Sequence, residues 1–222
     1  MERIIQITAD GSHTISIPAM EVTYHSKHGS IQESNHVFID AGLQYYVDTY
    51  RVPYIKIMEV GFGTGLNALL TAIKAREQEL TVEYHTIEAY PLQPAELGNL
   101  NHGILLKDED LFQKIHQSEW EIPVQLHPYC TIHKHHTTIE QFKFSNFFDC
   151  IFYDAFAPTA QPELWTETIF AKLYSRLNTN GILVTYCSKS IVRRAMQATG
   201  FRVTKIPGPP GKREMVRALK DA

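Results

Sequence analysis

The stretch YIKIMEVGFGTGLNALLTAIKARE, residues 54–77, constrains the fold more than any other part of the chain. YIKIMEV predicts a buried strand, and LNALLTAIKARE carries apolar residues at helical spacing. Between them, Gly61, Gly63 and Gly65 stand at every second position. A strand that passes through such a turn into a helix opens a parallel α/β unit. The turn itself can cradle the phosphates of a dinucleotide, a triphosphate, or a cofactor with no phosphate at all.

The other segments extend that unit. SHTISI, MEVTYHS and NHVFID look like short strands of an N-terminal meander, and LQYYVDTY like a short helix ending before Pro53. VEYHTIE is a second strand, and a polar helical stretch runs on through LFQKIHQSEW. VQLHPYCTIHKH is strand-like, CIFYDAF is a strand with a loop, and ETIFAKLYSRL is a helix stopped by NTNG. GILVTYC is another apolar strand, and KSIVRRAMQATG is a helix closed by Gly200. FRVTKI and EMVRALK, joined by PGPPGKR, form a terminal hairpin. Strands alternating with helices predict a mostly parallel, doubly wound sheet, to which the hairpin adds an antiparallel strand. The expected organisation is one compact α/β unit, with a β-rich extension over residues 1–52 and a Rossmann-like domain over residues 53–222.

A chain of 222 residues supplies one well-buried core more readily than two. No apolar run approaches the roughly 20 residues of a membrane helix, so no membrane role is expected. The N-terminus MERIIQITADGSHTI has a charge pair and then alternates, unlike a signal peptide. Cys130, Cys150 and Cys187 lie in apolar, strand-like runs, which suits reduced core thiols and a cytoplasmic location. The net charge of −3 hides an asymmetry. Residues 189–220 hold nine basic residues against Glu214 alone, whereas residues 1–188 hold twelve basic against 22 acidic. A basic C-terminal quarter on an acidic body fits a localised polyanion site, or else a solvated helix face beside a charged hairpin.

The glycine turn discriminates among its ligands. No lysine follows Gly65, so the triphosphate pattern G-x-x-x-x-G-K-[ST] is absent. G-x-G-x-G replaces the dinucleotide fingerprint G-x-G-x-x-G, and Glu59 before the loop would repel a pyrophosphate. A carboxylate does suit a cofactor with an amino-acid end and a sulfonium cation, which describes S-adenosylmethionine. Glycines let backbone approach that cofactor without a Cβ clash. Glu88 ends the second strand, where an acid can accept both ribose hydroxyls.

A second informative stretch is YDAFAPTAQPELW, Tyr153 to Trp165. Asp154 ends an apolar strand at the carboxyl edge, where open α/β sheets bind ligands. An Asp at such a place also serves commonly as a turn residue. Beside an aromatic loop it can hold an amine by hydrogen bonds, while Phe156 or Trp165 walls a planar base.

EVGFGTGLN, DAFAPTAQPELWT and GKREM, with VTYHSKHGSIQESNHVFI and TIEAYPL, together resemble the tRNA 5-methylaminomethyl-2-thiouridine methyltransferases of MnmC/MnmD type. The resemblance runs from about Tyr24 to the C-terminus and joins several motifs in order. It implies a class I S-adenosylmethionine methyltransferase fold that methylates the aminomethyl group of a wobble uridine in the tRNA anticodon stem-loop. It also implies that Asp154 occupies the catalytic position, with Tyr24, Ser26, Asn67, the glycine loop and Glu88 near the cofactor. In bifunctional members this domain is fused to a flavin-dependent oxidase. A chain ending at Ala222 implies a stand-alone methyltransferase that needs no flavin. Phosphate contacts are expected from Arg193, Arg194, Lys212 and Arg213.

Class I enzymes often place an acid after the third strand to hold the adenine amino group. Here HKHHTTIEQF puts Thr137 and Thr138 there, leaving the adenine to backbone groups or a hydroxyl. His127, His133, His135 and His136 suggest a metal site, but alternation along a strand separates His136 from His133 and His135. No Cys or carboxylate completes the set, so no metal is expected. Other functions open to such a chain are methylation of a small molecule or protein, a nicotinamide-dependent reductase, and a non-catalytic RNA-binding module.

Overall fold

The N-terminal segment starts as a meander. In the computed structural model, which describes residues 2–221, β1 (Ile4–Ile7), β2 (His13–Ile17) and β3 (Val22–Thr23) pair antiparallel in a small sheet of their own. NHVFID does not continue it. That segment lies within an unbroken helical run over residues 30–50, formed by α1 (Ser30–Ser34), a π-helical stretch (Asn35–Gln44) and α2 (Tyr45–Tyr50). Its β-branched and aromatic residues favour a strand locally, but long-range packing overrides propensity. Val37, Phe38, Leu43 and Tyr46 are buried in the main core, and Phe38 packs 5.3 Å from Phe152. Gly42 approaches so closely that a Cβ there would lie 2.9 Å from Phe152 and 3.0 Å from Val184. The β-rich part of the extension therefore ends at Thr23, and the helix that follows belongs to the main core.

The main domain follows with β4 (Tyr54–Val60), α3 (Leu66–Glu77) and β5 (Thr81–Glu88). Three short helices come next, α4 (Pro94–Leu97), α5 (His102–Leu105) and α6 (Glu109–Gln117). VQLHPYCTIHKH is split into β6 (Pro123–His127) and β7 (Cys130–His136), an antiparallel pair. The chain continues through β8 (Phe148–Tyr153), α7 (Glu167–Tyr174), β9 (Leu177–Thr185) and α8 (Ser190–Ala198). It closes with β10 (Arg202–Pro207) and β11 (Glu214–Leu219). The residues of NTN lie inside β9, where the register against β8 shifts between Phe148 and Cys150. Three extra residues on β9 absorb there what looks locally like a helix stop.

Eight strands form one sheet in the order β10-β11-β9-β8-β4-β5-β7-β6. The five from β9 to β7 are parallel, and β11 lies antiparallel between β9 and β10. Side chains alternate between two covered faces. Ile55 and Ile57 pack with residues of α3, α6 and the 30–50 helix, while Met58 and Val60 pack with residues of α7 and α8. Strand order reverses beside β4, which opens a crevice at the carboxyl ends of β4 and β8. The cysteines are buried free thiols. No helix among the described residues is long and apolar enough to cross a membrane.

Candidate active site

The glycines after β4 all take left-handed backbone angles, with φ of +96° at Gly61, +51° at Gly63 and +71° at Gly65. A Cβ on Gly61 would lie 2.6 Å from the carbonyl oxygen of Asp154, so this glycine lets the β4 and β8 loops touch. A Cβ on Gly63 would lie 3.0 Å from the Tyr24 ring, and the Gly63 N–H donates to Glu88 Oε2 at 2.9 Å. Gly65 faces away. Its missing Cβ makes room for the His116 ring of α6 at 2.9 Å, so Gly65 is a packing residue and lies off the cavity wall.

A cavity of about 940 Å³ opens above these turns, walled by Tyr24, Gly63, Asn67, Glu88, Asp154 and Phe156 among others. Tyr24 and Phe156 meet edge to face, with ring centroids 5.2 Å apart. The N-terminal sheet roofs the cavity. Arg3 ties it down by donating to the Tyr90 carbonyl at 2.7 Å and to Glu96 Oε2 at 3.0 Å. Burial pushes the Tyr24 hydroxyl pKa up to about 12, so it stays a neutral phenol.

The acids at the strand ends divide into one behind the wall and one on it. Glu59 is fully buried under α3 and accepts from Thr86 Oγ1 at 2.7 Å and Asn67 Nδ2 at 3.0 Å. Strand alternation turns it inward, behind the cavity wall on which the sequence reading places it. Burial raises its pKa to about 8, with the nearby Asp154 charge adding and the bonds from Thr86 and Asn67 opposing. Asp154 lines the cavity, and Asn67 Nδ2 donates to its Oδ2 at 3.0 Å. Burial and then the Glu33 charge raise the Asp154 pKa to about 7, against the Asn67 bond and the Lys212 charge. Asn67 Oδ1 is buried without a hydrogen-bond partner.

Several expected contacts move to other roles. Lys212 Nζ donates to the nearly buried Glu33 at 2.6 Å and stands 4.0 Å over the Tyr186 ring. Tyr186 in turn donates to the Ala155 carbonyl at 2.8 Å. Lys212 thus belongs to a cluster beside Asp154 and is not a free phosphate contact. Ser26 is off the cavity wall, where its N–H donates to Glu33 Oε2 at 2.7 Å. Trp165 is buried, and its indole N–H donates to the Phe156 carbonyl at 2.8 Å, so it supports the Phe156 loop from behind instead of walling the cavity. Glu33, Tyr186 and Glu140 carry no local signal that singles them out. Glu140 lines the cavity with Thr137 and Thr138, three residues beyond the position where an acid is missing.

The basic quarter is largely satisfied within the fold. Arg202 pairs with Asp221 and Lys205 with Glu214, each at 2.9 Å. Lys220 donates to the carbonyls of Tyr174 and Leu177, and Arg217 stacks 3.3 Å over the Tyr45 ring. Lys189, Arg194 and Arg213 are exposed, and Arg193, half-buried on α8, lies with Arg213 within electrostatic reach of Glu214. The polyanion surface shrinks to these four.

A family model described as S-adenosyl-L-methionine-dependent methyltransferase matches residues 108–221, just over half of the chain. The chain belongs to that family. Its mostly parallel sheet with an antiparallel terminal hairpin is the class I methyltransferase fold that the sequence implies. Among relatives of this methyltransferase, the tRNA 5-methylaminomethyl-2-thiouridine biosynthesis bifunctional protein MnmC of Magnetococcus marinus is 29% identical over 225 residues. That alignment covers 90% of this chain and 31% of the relative. The protein of the same name from Actinobacillus pleuropneumoniae is 29% identical over 220 residues, with 87% and 31% covered. The methyltransferase chain thus spans about a third of the length of these relatives. The crystal structure of MNMC2 from Aquifex aeolicus superposes with a TM-score of 0.78 at 26% identity, covering 100% of this chain and 71% of that one. Spermidine synthase from Thermotoga maritima shares the fold, with a TM-score of 0.59 at 14% identity and 98% and 68% covered.

Proposed function

We propose that this methyltransferase transfers a methyl group to the aminomethyl nitrogen of 5-aminomethyl-(2-thio)uridine at the tRNA wobble position, giving 5-methylaminomethyl-(2-thio)uridine. The observation that carries the reading is Asp154, a cavity-lining carboxyl with a pKa raised to about 7, joined to the similarity with the MnmC relatives. The cavity suits S-adenosylmethionine. Gly61 and Gly63 leave backbone bare, Glu88 lines the wall where it would accept the ribose hydroxyls, and the orphaned Asn67 Oδ1 would accept from an ammonium group. Glu140 and the Thr137–Thr138 pair would meet the adenine. Bound S-adenosylmethionine supplies a methyl group on a cationic sulfur, an electrophile that calls for neither flavin nor metal.

The chain's own residues would do the rest. A free aminomethyl group is a primary amine and, like a lysine with its pKa of roughly 10.4, is mostly protonated at neutral pH. Asp154 accepts hydrogen bonds from that amine, takes or relays its proton, and aims the freed lone pair into the cavity. Glu59 acts one step removed, by holding the Asn67 amide against Asp154. Phe156 and Tyr24 offer aromatic faces to a base turned out of the anticodon loop. Lys189, Arg193, Arg194 and Arg213 contact phosphates of the stem-loop. A tRNA substrate and buried reduced cysteines suit the cytoplasm.

Methyl transfer from labelled S-adenosylmethionine to bulk tRNA lacking the modification, followed by nucleoside mass spectrometry, tests the reading. The label is expected on the uridine side-chain amine. A methyl group anywhere else overturns the substrate assignment.

A further inference from the structure

A second cluster lies outside this cavity, on the sheet face shared with Phe148. His85 of β5 pairs in register with His133 of β7, and His135 follows two residues on, so three imidazoles share one face. One nitrogen from each lies within 4.8 Å of the others. The histidine run on β7 looks incomplete by itself because the third imidazole comes from the neighbouring strand. We propose that His85, His133 and His135 bind one divalent metal ion of the zinc class through neutral imidazoles, with a fourth position open to a small adjoining cavity.

Carboxylates on the far side of two rings fix which nitrogen is free. Glu83 Oε1 lies 2.8 Å from His85 Nε2, and Glu121 Oε2 lies 3.4 Å from His135 Nδ1. An ionised carboxylate only accepts, so His85 donates through Nε2–H and, by the same logic, His135 through Nδ1–H. His85 Nδ1 and His135 Nε2 then face each other at 3.2 Å, each carrying a lone pair. A metal ion between them would satisfy both lone pairs. His133 Nε2 is buried with no partner, a third free lone pair.

The spacing suits a metal. Zn–N bonds of about 2.0–2.1 Å at a tetrahedral angle set two ligand nitrogens about 3.3 Å apart. A carboxylate behind each of two imidazoles is the usual outer partner of metal-bound histidine. The adjoining cavity, about 350 Å³, is lined by Glu121, Gln141 and Asn146 and leaves room for a water or a small oxygen ligand. Thr137 lines this cavity and the large one, so the metal would brace the β7 end of the cofactor wall.

The test uses the full chain, freed of any histidine tag and treated with a chelator. Calorimetric titration with Zn²⁺ should show one ion per chain, and Co²⁺ should give the visible absorption of a tetrahedral site. His133→Ala and His85→Gln should each weaken Zn²⁺ binding at least about 10-fold. His136→Ala, next on β7 but on the opposite face, should bind as the parent does. S-adenosylmethionine binding confirms that each variant is folded. If His85→Gln does not fold, His133→Ala decides, since its ring is only half-buried. Absence of stoichiometric uptake, or equal uptake by His133→Ala, overturns the proposal. A shared proton between His85 and His135 at neutral pH in the presence of excess Zn²⁺, seen by NMR titration, does so too.

Discussion

Asn67 and Asp154 are joined by a hydrogen bond of 3.0 Å that spans 87 residues of chain. The same amide nitrogen reaches Glu59 Oε1 at 3.0 Å, so one side chain orients two carboxyls. In this arrangement Nδ2 is the shared donor and a carboxyl oxygen of each neighbour accepts. Asn67→Ala would leave two buried carboxyls short of a donor. The expected cost is about 1–3 kcal/mol of stability, read by urea denaturation, and an alkaline displacement of the pH–rate profile.

Asp154 itself should set that profile. With its pKa near 7, the rate of methyl transfer should bend near pH 7 as the carboxyl ionises. Asp154→Asn should remove the bend and lower single-turnover rates by about 10² to 10⁴, with cofactor affinity within a few-fold of the parent. A rate restored by saturating tRNA would show that Asp154 binds substrate without acting on its proton.

Glu59 predicts how stability varies with pH. Its folded pKa of about 8 lies above the ordinary 4.5, so the native state keeps a proton that the unfolded chain has released. Stability from this group is full below about pH 4.5 and is lost as the pH rises through about 8. Glu59→Gln keeps the shape and cannot ionise. Its urea midpoint should fall less across that range, leaving the smaller contribution of Asp154 between 3.8 and about 7.

Gly63→Val should abolish cofactor binding. Its φ of +51° disfavours a β-branched residue, and the added Cβ would press on Tyr24 at 3.0 Å. Calorimetry with S-adenosylmethionine on the folded variant measures the effect, and unchanged affinity would mean that the ligand lies elsewhere.

Lys212 and the α8 arginines should separate cleanly. Lys212→Ala leaves Glu33 unpaired beside Asp154, so the bend in the rate profile should move above pH 7 while tRNA affinity changes little. Arg193→Ala with Arg194→Ala should instead weaken tRNA binding and lower its salt slope by about two. Filter binding across a salt series, alongside rates at saturating tRNA, distinguishes the two outcomes.

Where the signal is local, the sequence predicts well. YIKIMEV and LNALLTAIKARE become β4 and α3 residue for residue, because periodicity and a glycine turn are short-range properties. Glu88, Asp154 and Phe156 line the cavity because strand ends at one sheet edge converge whatever lies between them, and Tyr24 meets them from the N-terminal sheet. What pairing at a distance decides stays hidden. Lys212 meets Glu33 across 179 residues, so a sequence shows only a basic turn. Glu59 and Trp165 hold the expected positions but point away from the cavity, since one residue of strand phase or one loop bond sets direction. NHVFID has the residue types of a strand and becomes helix because Gly42 can lie flat against Phe152 and Val184.

The roof over the cavity comes from chain that precedes the sheet on which it rests. Arg3 and Tyr24 have nothing to dock on until β5 and the Phe156 loop exist, and Glu33 waits longer still for Lys212. Contacts of such long sequence separation form late, after loop closure has been achieved elsewhere. Closing the binding chamber therefore carries the loop-closure cost of all the chain between these partners. Loss of that closure in a truncated chain would leave the sheet intact and the cofactor without its lid.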